Sequence, residues 1–164
     1  MGDAAFDAAR LLAAQGRSSD AQQALETLLR SQPDHLGALL LCGSLLLEAR
    51  EGDQALRLFE SATRAAPQSS EAWNGLGRGL HALARDQEAL AAAQRARELL
   101  PLGDNFRHAS AVYLTLVWCL REMRRYHEAL ALADEGLERC PDAILAQWAG
   151  VVEEELAESE KERC

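Results

Sequence analysis

Four prolines divide the chain, Pro33, Pro67, Pro101 and Pro141, and they stand thirty-four, thirty-four and forty residues apart. Proline has no N–H to donate and its ring clashes with the preceding turn, so each of them stops a helix. The segments between them are rich in Ala and Leu, both strong helix formers, and poor in the β-branched residues that favour sheets. The expectation is an all-α chain built from a unit that recurs. A short helix pair cannot bury its own apolar face, so such units must stack to make a core. At 164 residues the chain is long enough for one domain with a sizeable core, read here as 1–164.

The third unit, Glu71–Pro101, carries the clearest punctuation: Trp73, Leu76-Gly77, Leu80, Ala89, Ala93, Ala96 and Pro101. In the second unit Leu39, Cys42, Gly43, Ala55, Phe59, Ala62 and Pro67 fall on the same register. In the first, Ala5, Ala8 and Ala9 take the opening columns, and Ala21, Leu25, Leu28 and Pro33 follow. In the fourth, Tyr113, Leu116, Val117, Ala129, Ala133, Gly136 and Pro141 do so. The W-x2-L-G run at Trp73, the later Ala and Pro columns, and the thirty-four-residue period resemble the tetratricopeptide repeat (TPR) family over residues 2–143. Leu80 and Ala93 stand where that family often has Tyr and Phe. The resemblance implies a right-handed superhelical stack of four helix pairs, with repeats at about 2–35, 36–69, 70–103 and 110–143.

Helices are expected at about 3–15, 20–31, 36–49, 53–65, 70–84, 87–99, 105–124, 127–139 and 143–161, with ends good to roughly two to four residues. Gly43 and Gly77 should let the two helices of a unit approach closely, opposite Ala55 and Ala89. Asp34, Ser69 and Asp142 follow prolines and are candidate N-caps. The stretch Gly16–Ser19 and the stretches at Arg50–Asp53 and Arg85-Asp86 read as turns. The stretch Leu102–His108 before the fourth unit carries six extra residues, which are expected to lengthen its first helix by about one and a half turns, with Asp104 or Asn105 as cap. Ile144, Leu145, Trp148, Val151-Val152 and Leu156 form an apolar stripe on a last helix without a partner, backed by glutamates. That helix is expected to cap the stack at 144–161.

Composition excludes several functions. A net charge of -9 disfavours nucleic acid and an anionic membrane surface. No apolar run is long enough to span a membrane, and the N-terminus does not read as a signal peptide, which makes the cytoplasm the default. The four cysteines contain no C-x-x-C pair and read as reduced thiols. His35, His81, His108 and His127 show no i,i+4 pairing and no cluster with Cys and carboxylate, so no metal site, cofactor or catalytic residue is expected.

The resemblance also implies where a ligand would bind, because in this family the first helix of each pair lines the concave face. The free sides of those helices are Asp3, Phe6, Asp7 and Arg10; Leu40, Leu41, Ser44 and Leu47; Glu71, Asn74, Arg78 and His81; and Leu114, Thr115, Trp118 and Arg121. The capping helix adds Leu145 and Trp148. Phe6, Leu40, Leu41, Leu47, Leu114 and Trp118 would make an apolar patch of the kind that marks contact sites, and Arg10, Arg78 and Arg121 would add donors. The family's carboxylate clamp uses Lys and Asn from the first helix, Asn from the second, and Lys and Arg from the third. Here those positions hold Phe6, Arg10, Leu41, Glu71 and Gly75, so the clamp is absent. The expectation is a non-catalytic protein-binding module, an adaptor, scaffold or small chaperone. It would hold an amphipathic helix or extended peptide, without nucleic acid or membrane partners. The alternative is a homodimer or larger assembly using the same apolar surface. In size and acidity the chain is also similar to bacterial secretion chaperones built of these repeats.

Overall fold

Each unit folds as two antiparallel helices because a left-handed residue ends the first one. In the computed structural model, which describes residues 2–101 and 106–162, that residue is Gly16 (φ 75°), Arg50 (62°), Ala84 (56°) and Arg124 (56°) in turn. The next amide then reaches back over the helix end: Arg17 N–H donates to Leu12 O, Glu51 to Leu46, Arg85 to Leu80 and Arg125 to Leu120. This closure satisfies carbonyls that the helix end would otherwise orphan. Only the first unit uses glycine there.

The described helices are α1 (Gly2–Ala14), α2 (Ser18–Ser31), α3 (Leu36–Glu48), α4 (Gly52–Ala65), α5 (Ser70–Ala82), α6 (Asp86–Glu98), α7 (Phe106–Glu122), α8 (Tyr126–Arg139) and α9 (Ala143–Lys161). Their ends lie within two residues of those expected. Ser69 caps α5 by accepting from Ala72 N–H, and Asp142 caps α9 by accepting from Ile144 and Leu145 N–H. Asp34 does not cap α3. The imidazole of His35 does, with Nδ1 accepting from Ala38 N–H at 3.1 Å, because the extended residue before the first helical turn is His35. Gly52, Ser18 and Asp86, read as turn residues, are already helical.

Every helix packs against the next. The odd-numbered helices also approach one another backbone to backbone in succession, α1 on α3, α3 on α5, α5 on α7 and α7 on α9, whereas the even-numbered ones stand farther apart, α6 and α8 being joined by the long side chains of Arg97 and Glu135 at 3.4 Å. The odd helices therefore form the tighter, inner layer of a right-handed superhelical stack of four pairs, and α9 closes the C-terminal end. α7 is four residues longer than α5. Aligned on Gly77 and Val117, the extra turn lies at its N-terminal end, about one turn rather than one and a half. The proposed caps Asp104 and Asn105 lie outside the described residues.

Close helix approach is centred on Phe59 of α4, which is 1% exposed. A Cβ at Gly43 of α3 would come within 2.7 Å of its ring, and one at Gly75 of α5 within 2.5 Å. Gly77 instead faces backbone of α6, with Ala89 O 3.2 Å from where a Cβ would stand. In the last unit the geometry is reversed. Gly136 of α8 receives Tyr113 and Leu145, each 2.7 Å from such a position.

Two substitutions test this account. Gly→Ala gains about 1 kcal/mol of helix propensity in open space, and overpacking costs ~1–3 kcal/mol. Gly150→Ala in α9, with nothing within 4 Å, should therefore stabilise, whereas Gly75→Ala should destabilise. Urea melts read the opposite signs. Ala84→Gly should in turn stabilise by roughly 1 kcal/mol, because it relieves a left-handed Ala on the surface.

Candidate functional site

The inner layer carries a concavity of about 530 Å³ bounded by α1, α3, α5 and the first turns of α7. Of the residues expected on the open face, Phe6, Arg10, Leu40, Leu41, Ser44, Glu71, Asn74 and Arg78 line it. It is also lined by Gly37, Phe59, Gly75, His108 and Ala111. Phe6 folds over Gly37, where a Cβ would meet its ring at 2.7 Å, and its ring lies 5.0 Å from that of His35. It thus forms one wall and is half-buried. Arg10 lies 5.8 Å over the Phe6 ring and pairs with Asp7 at 3.3 Å, both exposed. The side chain of Asp3 lies outside those described.

Two polar groups of the concavity, Arg78 and Asn74, are poorly matched among the described residues. Arg78 lies between α3 and α5 with Nη1 3.5 Å from Ser44 Oγ, the outer limit of a hydrogen bond. Burial lowers its pKa, opposed by the field of Glu48. Among the described residues it forms no ion pair. Asn74 is 5% exposed and its Oδ1 has no partner among them. A buried amide oxygen without a hydrogen bond costs roughly 1–3 kcal/mol.

The remaining expected residues sit elsewhere. Leu114 is in the core at 9% exposure and Thr115 is fully buried, its hydroxyl donating to Ala111 O. Both fail as open-face residues because Leu114 joins the C-terminal core cluster and Thr115 packs against α5 at Gly77, its methyl 3.3 Å from where a Cβ there would stand. Leu145 is likewise buried, against Gly136 and Tyr113. Leu47 is half-buried and packs on the N-terminal core cluster. His81, Trp118, Arg121 and Trp148 make a second group on α5, α7 and α9. The His81 and Trp118 rings stack at 6.1 Å, and Trp148 meets Trp118 edge-on at 5.9 Å. Arg121 lies 5.5 Å over Trp148 and donates through Nε to Glu155 Oε2 at 2.9 Å. It is therefore occupied by the capping helix and is not a free donor. Trp118 is half-buried, and its Nε1–H has no partner among the described residues.

The structure also brings together residues whose proximity has no local sequence signal. His108 sits in the added turn of α7 and reaches Ser70 of α5, Nε2 to Oγ 2.8 Å. Ser70 Oγ–H donates to Ala96 O at 2.7 Å, so its one proton is committed. The ring must then donate through Nε2–H, which leaves it unable to act as a base toward that hydroxyl. A histidine, a carboxylate and a thiol do cluster, contrary to expectation: His81, Asp86 and Cys119. The fold makes this cluster by bringing α7 against the α5–α6 turn. Cys42, Cys119 and Cys140 are buried free thiols.

His108 gives a pH dependence. Burial lowers its pKa below the ordinary 6.5, with Glu71 opposing. As pH falls through that ordinary value the unfolded chain takes up a proton that the folded ring refuses, so stability declines until the folded ring titrates too. Melts above and below this value should show a smaller acid-side loss for His108→Gln, which keeps an N–H donor, than for the unaltered chain.

A model of the tetratricopeptide repeat family matches residues 6–53 and 43–104. A peroxisomal targeting signal receptor from Saccharomyces cerevisiae is 34% identical over 87 residues, 52% of this chain, which spans only 14% of that receptor's length. Among solved structures, TTC0263, a TPR protein of Thermus thermophilus, superposes with a TM-score of 0.76 at 22% identity, covering 93% of this chain and 81% of its own. MamA from Desulfovibrio magneticus RS-1 does so at 0.71 and 20%, covering 84% and 75%. YrrB, described as a TPR protein with an unusual peptide-binding site, does so at 0.67 and 25%, covering 90% and 74%. With the period, the fold and a family model matching well over half of its residues, this chain belongs to the tetratricopeptide repeat family.

Proposed function

We propose that the chain is a non-catalytic protein-binding module that holds a peptide segment in the concavity of its inner layer. The observation that carries this reading is the pairing of an apolar wall, Phe6, Leu40 and Leu41, with two under-used polar groups, the Asn74 amide oxygen and the desolvated Arg78 guanidinium. An apolar surface supplies burial to a ligand's side chains, and a lone acceptor and a lone cation orient its backbone or a carboxylate. The likeness to YrrB supports it, as does the partial likeness to a targeting signal receptor. Adaptor, scaffold and small chaperone are roles within this reading.

Peptides selected on the immobilised chain should be amphipathic or extended, with apolar anchors. Leu41→Asp and Arg78→Ala should each weaken their binding roughly ten-fold or more, the cost of one interface anchor. Calorimetry reads the affinity and circular dichroism confirms the fold. Selected peptides that bind both variants as tightly as the parent would place the site elsewhere. Light scattering separates self-assembly: a dimer that Leu41→Asp dissolves would make a second copy the occupant of this surface.

A further inference from the structure

Three side chains from three helices converge beside Trp118. His81 comes from the last turn of α5, Asp86 is the first residue of α6, and Cys119 lies within α7. A ring nitrogen of His81, a carboxylate oxygen of Asp86 and Cys119 Sγ all lie within 4.8 Å of one another. We propose that these three residues form a binding site for a borderline divalent transition-metal ion, with zinc as the best match.

The donor set selects the class of ion. Imidazole and thiolate suit zinc and its neighbours, whereas magnesium and calcium require oxygen ligands. Zinc bonds to such atoms at about 2.0–2.3 Å in a tetrahedral array, so the donors must stand roughly 3.3–3.8 Å apart. His81 Nδ1 and Asp86 Oδ1 are now 2.6 Å apart in a hydrogen bond. Small side-chain rotations therefore suffice, without moving a helix. The His81 ring is already oriented by stacking on Trp118 at an interplanar angle of 18°.

A divalent cation held by the three donors takes Cys119 as the thiolate, its proton being released to solvent on binding. A thiolate and a carboxylate together balance its charge. The His81 and Asp86 side chains remain 27% and 18% exposed, which gives an ion access from that side, while Cys119 lies fully buried at the inner end of the site. His81, Asp86 and Cys119 do not line the concavity, so the site stands apart from peptide binding there.

The full chain, reduced and carrying Cys164→Ser so that the terminal thiol cannot contribute, is titrated with Co²⁺ as a spectroscopic probe. A thiolate-to-cobalt charge-transfer band with visible bands of tetrahedral intensity is expected, reversed by excess Zn²⁺. Cys119→Ser should abolish the charge transfer, and Cys42→Ser should leave it intact. His81→Gln and Asp86→Asn should weaken binding roughly ten-fold or more, since loss of a ligand costs at least what loss of an outer partner does. Should Cys119→Ser fail to fold, these two variants decide, with helicity checked for each. Absence of the band at saturating Co²⁺, its survival in folded Cys119→Ser, or unchanged affinity in both His81→Gln and Asp86→Asn would overturn the proposal.

Discussion

The stack depends on how closely one helix can approach the next, and the Phe59 ring sets that distance. It rises from α4 into the seam between α3 and α5, and it fits because Gly43, Gly75 and Gly79 present bare backbone to it. One side chain thereby ties a unit both to itself and to its successor. Methyl groups at those glycines would push the inner helices apart and splay the curvature of the inner layer. In a repeat stack each unit contacts only its neighbours, so the quality of such seams, summed along the chain, decides whether it folds. The C-terminal seam solves the same problem with roles exchanged, Tyr113 and Leu145 closing over Gly136 of the outer layer.

Two departures from strict repetition shape the inner face. The added turn of α7 carries His108 over to Ser70 and builds a wall at the C-terminal side of the concavity. The capping helix closes the other end. Its Trp148 and Glu155 engage Trp118 and Arg121, so the last third of the inner layer is filled by the chain's own aromatic rings and by an ion pair that is about one-quarter exposed on each side. The inner surface is consequently uneven: open with unmatched polar groups toward the N-terminus, closed and aromatic toward the C-terminus.

Much of the fold was legible because helix periodicity and proline stops are local, short-range effects. The four pairs, the ends of all nine described helices, the caps at Ser69 and Asp142 and the close approaches at Gly43 and Gly77 all follow from such patterns. The site was legible in part. Phe6, Leu40, Leu41, Asn74 and Arg78 stand on the faces of three first helices that the resemblance marks as concave, and they line one concavity. Leu114 shares the corresponding face of its own helix yet is buried, because it joins the C-terminal core cluster, where Trp118 and Trp148 also pack. Arg121 looked like a free donor only because Glu155 is thirty-four residues away in the chain.

The sequence by itself determined that this chain is a stack of phased helical hairpins, since propensity, period and helix-stopping residues act within a few residues of one another. Only the tertiary structure decided which polar groups are left without partners and which reactive ones meet. The His108–Ser70 contact and the convergence of His81, Asp86 and Cys119 depend on the relative placement of whole helices. Proximity between residues on separate helices is set by the packing of everything between them, and no local pattern encodes it.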